Sequence, residues 1–92
     1  MNDILSRKLA PSPDVMESAV GDETIILHLA NGVYYGLDGV GTRIWSSIQR
    51  GLSTTDICHQ LSEEFNVDLA TIEDDARLFL TELRKQGIVI DA

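Results

Sequence analysis

The sequence predicts an α+β fold of winged-helix-like type, a three-stranded antiparallel sheet followed by three helices. Three observations lead there. Residues Thr24 to Asp38 alternate apolar and polar side chains on either side of Asn31-Gly32, a dipeptide typical of tight hairpins. After Asp38 the apolar spacing changes from two residues to three or four and stays so to Gln86. A chain of 92 residues buries roughly 60–65% of its unfolded surface, which suits one modest core and one domain.

The elements follow in order. Met1 to Pro13 contain both prolines and the basic pair Arg7-Lys8, and are expected to form a flexible N-terminal arm (1–13) ahead of a single domain (14–92). Val15–Val20 reads as a weakly patterned strand, closed by a turn at Gly21-Asp22. Thr24–Leu29 and Val33–Leu37 are the next two strands. Sequential pairing makes a meander with Val33–Leu37 at one edge. A three-residue loop, Ala30-Asn31-Gly32 with a left-handed glycine, sets Leu29 opposite Val33, Leu27 opposite Tyr35 and Ile25 opposite Leu37. That register gathers every large apolar residue of the hairpin except Ile26 and Tyr34 on one face, and a buried face specifies register. His28 then falls on the outward side.

Val40, Ile44, Ile48 and Leu52, with Trp45 beside them, mark the first helix. Asp38 is placed to cap it and Gly51 to end it. Ser53 with Asp56 resembles a capping box for a second helix lined by Ile57, Leu61 and Phe65, with Cys58 at the border of that face. Asn66-Val67 breaks it. Asp68 opens the third and longest helix, Leu69–Gln86, which Gly87 terminates; its stripe is Leu69, Ile72, Ala76, Phe79, Leu80 and Leu83. Arg84 and Lys85 sit near its end, where the helix dipole favours positive charge. At about 100° per residue Leu78 lies well off that stripe, beside Asp75 and Glu82, with Phe79 at the boundary. Ile88-Val89-Ile90 is a short extended tail that packs down.

Composition excludes several functions. The net charge of −8, from seven basic and fifteen acidic residues, is the wrong balance for displacing counterions from DNA, RNA or an anionic membrane. A winged-helix nucleic-acid binder is the rival that the element order permits, but its recognition helix would carry Asp74, Asp75 and Glu82. No apolar run reaches membrane-spanning length, and MNDILSRKLAPSP has no signal-peptide core. One cysteine fits a reducing, cytoplasmic setting. Asp74-Asp75 and Glu63-Glu64 are helical neighbours whose side chains diverge, so neither pair serves as an acid–base dyad. Cys58 and His59 are adjacent, so the imidazole does not face the thiol as a general base must. Two histidines and one cysteine without ligand spacing make no metal site. The glycines of GLDGVG match neither phosphate-binding fingerprint. No catalytic residue, cofactor or metal is expected.

What remains is an edge. Val33–Leu37 carries no proline, lysine or arginine to block pairing, the usual protection of an unused edge. An extended peptide could add to it as a further strand, with alternate side chains dropping beside the third helix into a slot formed with Tyr35, Leu37, Leu78 and Phe79. Asp75 and Glu82 would favour basic residues in the guest. An edge-to-edge homodimer is the other use of the same margin.

The run NGVYYGLDGVGTRIW, then GLSTTDICHQL, EEFNVD and DDARLFLTELRKQGIV, resembles the PqqD-like family, whose members act as recognition elements for precursor peptides of ribosomally synthesised, modified peptides (RiPPs). The stand-alone versions from lasso-peptide clusters are the most similar. The resemblance extends from about residue 14 onward. It implies a non-enzymatic adaptor that captures the leader segment of a precursor as a fourth strand, in a groove shared with the third helix. The implied peptide-binding residues are Val33, Tyr34, Tyr35, Gly36, Leu37, Asp75, Leu78, Phe79 and Glu82. The implied partner is a separately encoded leader peptidase or other RiPP-modifying enzyme, or a radical enzyme for a member serving pyrroloquinoline quinone synthesis. The asparagine common after the strand leucine is Asp38 here, which keeps the helix cap.

Overall fold

The computed structural model describes residues 3–92. A single turn of 3-10 helix (Ile4–Ser6) precedes β1 (Leu9–Pro11), β2 (Val15–Val20), β3 (Glu23–His28), β4 (Tyr34–Leu37), α1 (Gly39–Gln49), α2 (Thr54–Phe65), α3 (Leu69–Lys85) and β5 (Val89–Asp91). The expected meander forms in the order β2-β3-β4, with β4 on an edge. A second, two-stranded sheet joins β1 to β5.

The helix ends follow local chemistry. The Asp38 carboxylate accepts the Gly41 N–H at 2.8 Å and opens α1. Gly51, at φ 74°, lets the chain turn away after it. The Ser53 hydroxyl accepts the Asp56 N–H and opens α2, and Asn66 ends α2 in the left-handed conformation. Asp68 precedes α3 as expected, yet its side chain makes no capping bond. Between the helices lie Ile44, Trp45 and Ile48 from α1, Ile57, Cys58 and Leu61 from α2, and Ile72, Ala76, Leu80 and Leu83 from α3, closed by Ile26, Leu37, Ile88 and Val89. Three members of the expected stripes stay exposed: Val40 in the first turn of α1, Leu52 beyond its end and Phe65 at the last residue of α2.

Two expectations are corrected. The hairpin loop is longer by one residue: the His28 N–H donates to the Val33 carbonyl, and Leu27 pairs with Tyr34, Ile26 with Tyr35 and Thr24 with Leu37. The Gly32 N–H donates back to the His28 carbonyl, and Asn31 Oδ1 takes the Val33 N–H, so the side chain of the asparagine holds a four-residue turn. One step of register exchanges the faces of β3. Ile26 is therefore 0% exposed, and His28, at 9%, sits inside, its Nδ1 accepting the Ala30 N–H. Ile25 and Leu29 stand outward instead.

The second correction concerns the N-terminal segment expected as a flexible arm. From residue 3 onward it is part of the fold: Leu5 and Leu9 are buried in the core and β1 pairs with β5. Asp3 binds Arg77 on α3 at 3.0 Å, and Asp91 holds both Arg7 and Arg84. Pro11 fits because it closes its strand, where a missing N–H costs little, and Pro13 lies in the link to β2. Met1 and Asn2 lie outside the described residues.

Candidate functional site

The main chain of β4 defines the site. Antiparallel pairs alternate between hydrogen-bonded and non-bonded positions. Because His28 and Val33 form a bonded position, Ile26/Tyr35 and Thr24/Leu37 are the next two. Tyr34 and Gly36 therefore turn their N–H and C=O groups away from β3, toward the open side of the sheet. The stretch Val33–Leu37 thus divides by role. Val33 is tied into the turn, and Leu37, 2% exposed, belongs to the core and walls no slot. Among the described residues no strand pairs with the outer edge of β4, where Tyr34 and Gly36 present their main chain, and the half-buried Tyr35 side chain points to the helical side.

The helical side is α3. Leu78 is 74% exposed, as its angle on the helix requires, while Phe79 is half-buried against the core. Asp75 and Glu82 are exposed on the same flank. Tyr35 faces this flank: partial burial, and then the negative charge of Glu82, push its phenol above its ordinary range. Asp75, Leu78 and Glu82 thus share one exposed flank of α3, as the helical angle predicts. What sequence reasoning missed lies at either end of it. Past Leu37, a cleft of about 440 Å³ opens between α1 and α3. On the far side of the sheet, Met16, Leu27 and Tyr34 form one cross-strand row of large apolar side chains, with Ile25 standing in the next. The only hint of that face was the hydrophobicity of β3 on both of its faces.

Cys58, expected at a core border, is fully buried; burial and the charge of Glu73 raise its thiol, which disfavours the nucleophilic thiolate. Among the described residues no group of His, Cys, Asp and Glu is arranged to hold a metal ion, and no helix is long and apolar enough to cross a membrane.

Residues 23–89 match the family described as coenzyme PQQ synthesis protein D (PqqD). The chain belongs to the PqqD family. Among solved structures, it is similar to TbiB1 in complex with the TbiA(β) leader peptide, at 38% identity over 87% of this chain and 93% of that one, with a TM-score of 0.82. It shares its fold with a lasso peptide synthetase B1 complexed with its leader peptide, at 20% identity over 90% of this chain and 98% of that one, with a TM-score of 0.83. No curated protein sequence matches significantly.

Proposed function

We propose that this protein is a non-catalytic adaptor that captures the leader segment of a ribosomally made precursor peptide and presents it to a separately encoded processing enzyme, a leader peptidase of lasso-peptide biosynthesis. The observation that carries this reading is the unpaired β4 margin beside the exposed Leu78 ridge, in a chain 38% identical to a protein solved with a leader peptide. The leader adds to Tyr34 and Gly36 as a fourth strand. Its inward side chains settle against Tyr35, Leu78 and Phe79, and its basic residues against Asp75 and Glu82.

Magnitudes assign the affinity. Two outward-facing residues supply four main-chain hydrogen-bonding groups, worth together about 2–6 kcal/mol. Ordering the guest costs roughly 2–5 kcal/mol, so the strand pairing nearly cancels. Micromolar binding requires about −8 kcal/mol, and with apolar anchors at about 1.5–3 kcal/mol each it takes about three near the upper value to reach it. Main chain therefore sets the register, and side chains set strength and choice.

The outer face of the sheet supports the second half of the reading. Its row of Met16, Leu27 and Tyr34 runs to the β4 margin, so the outward side chains of a bound leader extend the same surface. Between Lys8 and Arg43 the sequence has no Lys or Arg, and Asp14, Asp22 and Glu23 edge this face. A second copy would set acid against acid, whereas an enzyme with an apolar patch rimmed by basic residues is complementary.

The test is a titration of the isotope-labelled protein with the leader segment of its cognate precursor peptide. Amide shifts should concentrate at Tyr34, Gly36 and the Leu78 flank of α3. Shifts confined to other surfaces, or none at saturating peptide, would sink the docking site.

A further inference from the structure

Four of the seven basic residues of this chain line one cleft. It measures about 660 Å³ and lies between the second half of α3 and the N-terminal segment, with Arg77, Arg84 and Lys85 on one wall and Asp3, Ile4 and Arg7 on the other. In a protein of net charge −8, positive charge is gathered here against a single lining carboxylate. Part of that charge holds the fold. Arg77 binds Asp3 and Asp74, and Arg7 and Arg84 both reach Asp91 Oδ2, which ties the N-terminal segment and β5 to α3. Exposed ion pairs add little to stability, so fastening these segments does not account for four cations in one place. Donors are left over as well. Among the described residues, Arg84 uses only Nη2 and Arg7 only Nη1 of their guanidinium groups, and Lys85 has no carboxylate partner.

We infer that this cleft holds an acidic peptide segment of the partner that acts on the captured leader. The inference deepens the adaptor reading and rests on it for the identity of the partner. Spacing selects a peptide. Arg77 and Lys85 stand about 12 Å apart along the helix axis, a distance covered by carboxylates on two turns of helix or on three to four extended residues. A compact phosphate is disfavoured, because the cleft follows the end of α3 that presents carbonyls rather than N–H groups. Position keeps the segment apart from the leader. Arg77 and Asp75, like Arg84 and Glu82, are two residues apart and so about 160° apart around the helix. A leader on β4 and an acidic segment in the cleft therefore bind at the same time, and the opposite charges of the two flanks keep each guest out of the other's place.

The experiment uses the isotope-labelled full chain and, as probe, a short oligoglutamate peptide, with oligoglutamine and tripolyphosphate as controls. Oligoglutamate should move the amides of Arg77, Thr81, Arg84 and Lys85, equally with and without saturating leader, and oligoglutamine should move none. Two variants alter exposed positions of the cleft, and thermal melting checks that they fold: Arg84→Gln combined with Lys85→Gln, and separately Thr81→Glu. Each should weaken oligoglutamate at least ten-fold and leave leader affinity within about three-fold of wild type. In leader removal by the cognate peptidase, each should require at least ten-fold more adaptor for the half-maximal rate. Absence of shifts in the cleft, or undiminished oligoglutamate affinity in both variants, would overturn the acidic-peptide site. Tighter binding of tripolyphosphate than of oligoglutamate would overturn it in favour of a phosphate ligand, and an unchanged adaptor requirement would overturn the assignment to the processing partner. A leader that shifts neither Tyr34 nor Gly36 would instead overturn the strand-addition reading and leave the oligoglutamate result standing.

Discussion

Gly36→Pro separates the main-chain part of leader capture from every side-chain contact. Gly36 lies opposite Ile25 at a non-bonded position, so its N–H takes no part in the β3–β4 ladder. Proline is tolerated at such edge positions, and the preceding Tyr35 already has the extended backbone that proline demands. The variant should therefore fold, with a melting temperature within a few degrees of the wild type. For a guest strand the change is severe. One hydrogen bond worth about 0.5–1.5 kcal/mol is lost, and a guest carbonyl is left facing a ring, an unsatisfied acceptor that costs about 1–3 kcal/mol. The sum is about 1.5–4.5 kcal/mol, at least ten-fold in affinity. Gly36→Ala is the control: nothing lies within 4 Å of its added Cβ, and the N–H remains. Fluorescence anisotropy with a labelled leader should show the alanine variant within about three-fold of wild type, and the proline variant at least ten-fold weaker. Equal binding by the two would mean that the leader does not hydrogen-bond to this margin.

Three further predictions test other parts of the account. Leu78→Glu changes a side chain that is 74% exposed, so it should leave the melting temperature unchanged and weaken leader binding ten-fold or more by calorimetry. Leu9→Ala empties a buried site in β1 and should cost about 2–4 kcal/mol in urea unfolding; a change under about 0.5 kcal/mol would show that β1 contributes little to the fold. Arg77 holds the Asp3 carboxyl below its ordinary range, as Arg43 does for Glu64. Because the folded-state values are depressed, this stabilisation is complete above the ordinary carboxylate pKa of about 4 and is lost as pH falls through the lowered values. Asp3→Asn combined with Glu64→Gln should flatten the acid side of a stability–pH curve below about pH 4.5, and an unaltered slope would count against these pairs.

The helices were legible because each carries its own instructions. Asp38 and Ser53 make the caps expected of them, and Asn66 and Gly87 stop α2 and α3 where expected. The exposure of Leu78 follows from the helical angle alone. The hairpin was legible as a hairpin but not in register. β3 has large apolar residues at Ile25, Ile26 and Leu27, so alternation gave two nearly equivalent faces. The choice between them is made by the Asn31 side chain on the Val33 N–H and by the fit of Ile26 into the core. The burial of His28 followed from that choice.

The sequence by itself determined the succession of strands and helices, the acidic balance, the bare edge and the family likeness, because periodicity, caps and charge are properties of neighbouring residues. Only the tertiary structure decided which face of β3 is buried, that β1 closes on β5, and that a cleft lies between α1 and α3. Those depend on contacts between residues as far apart as Leu9 and Asp91. No local pattern encodes such contacts, because packing selects among arrangements that are equally good locally, and it does so only once the whole core is assembled.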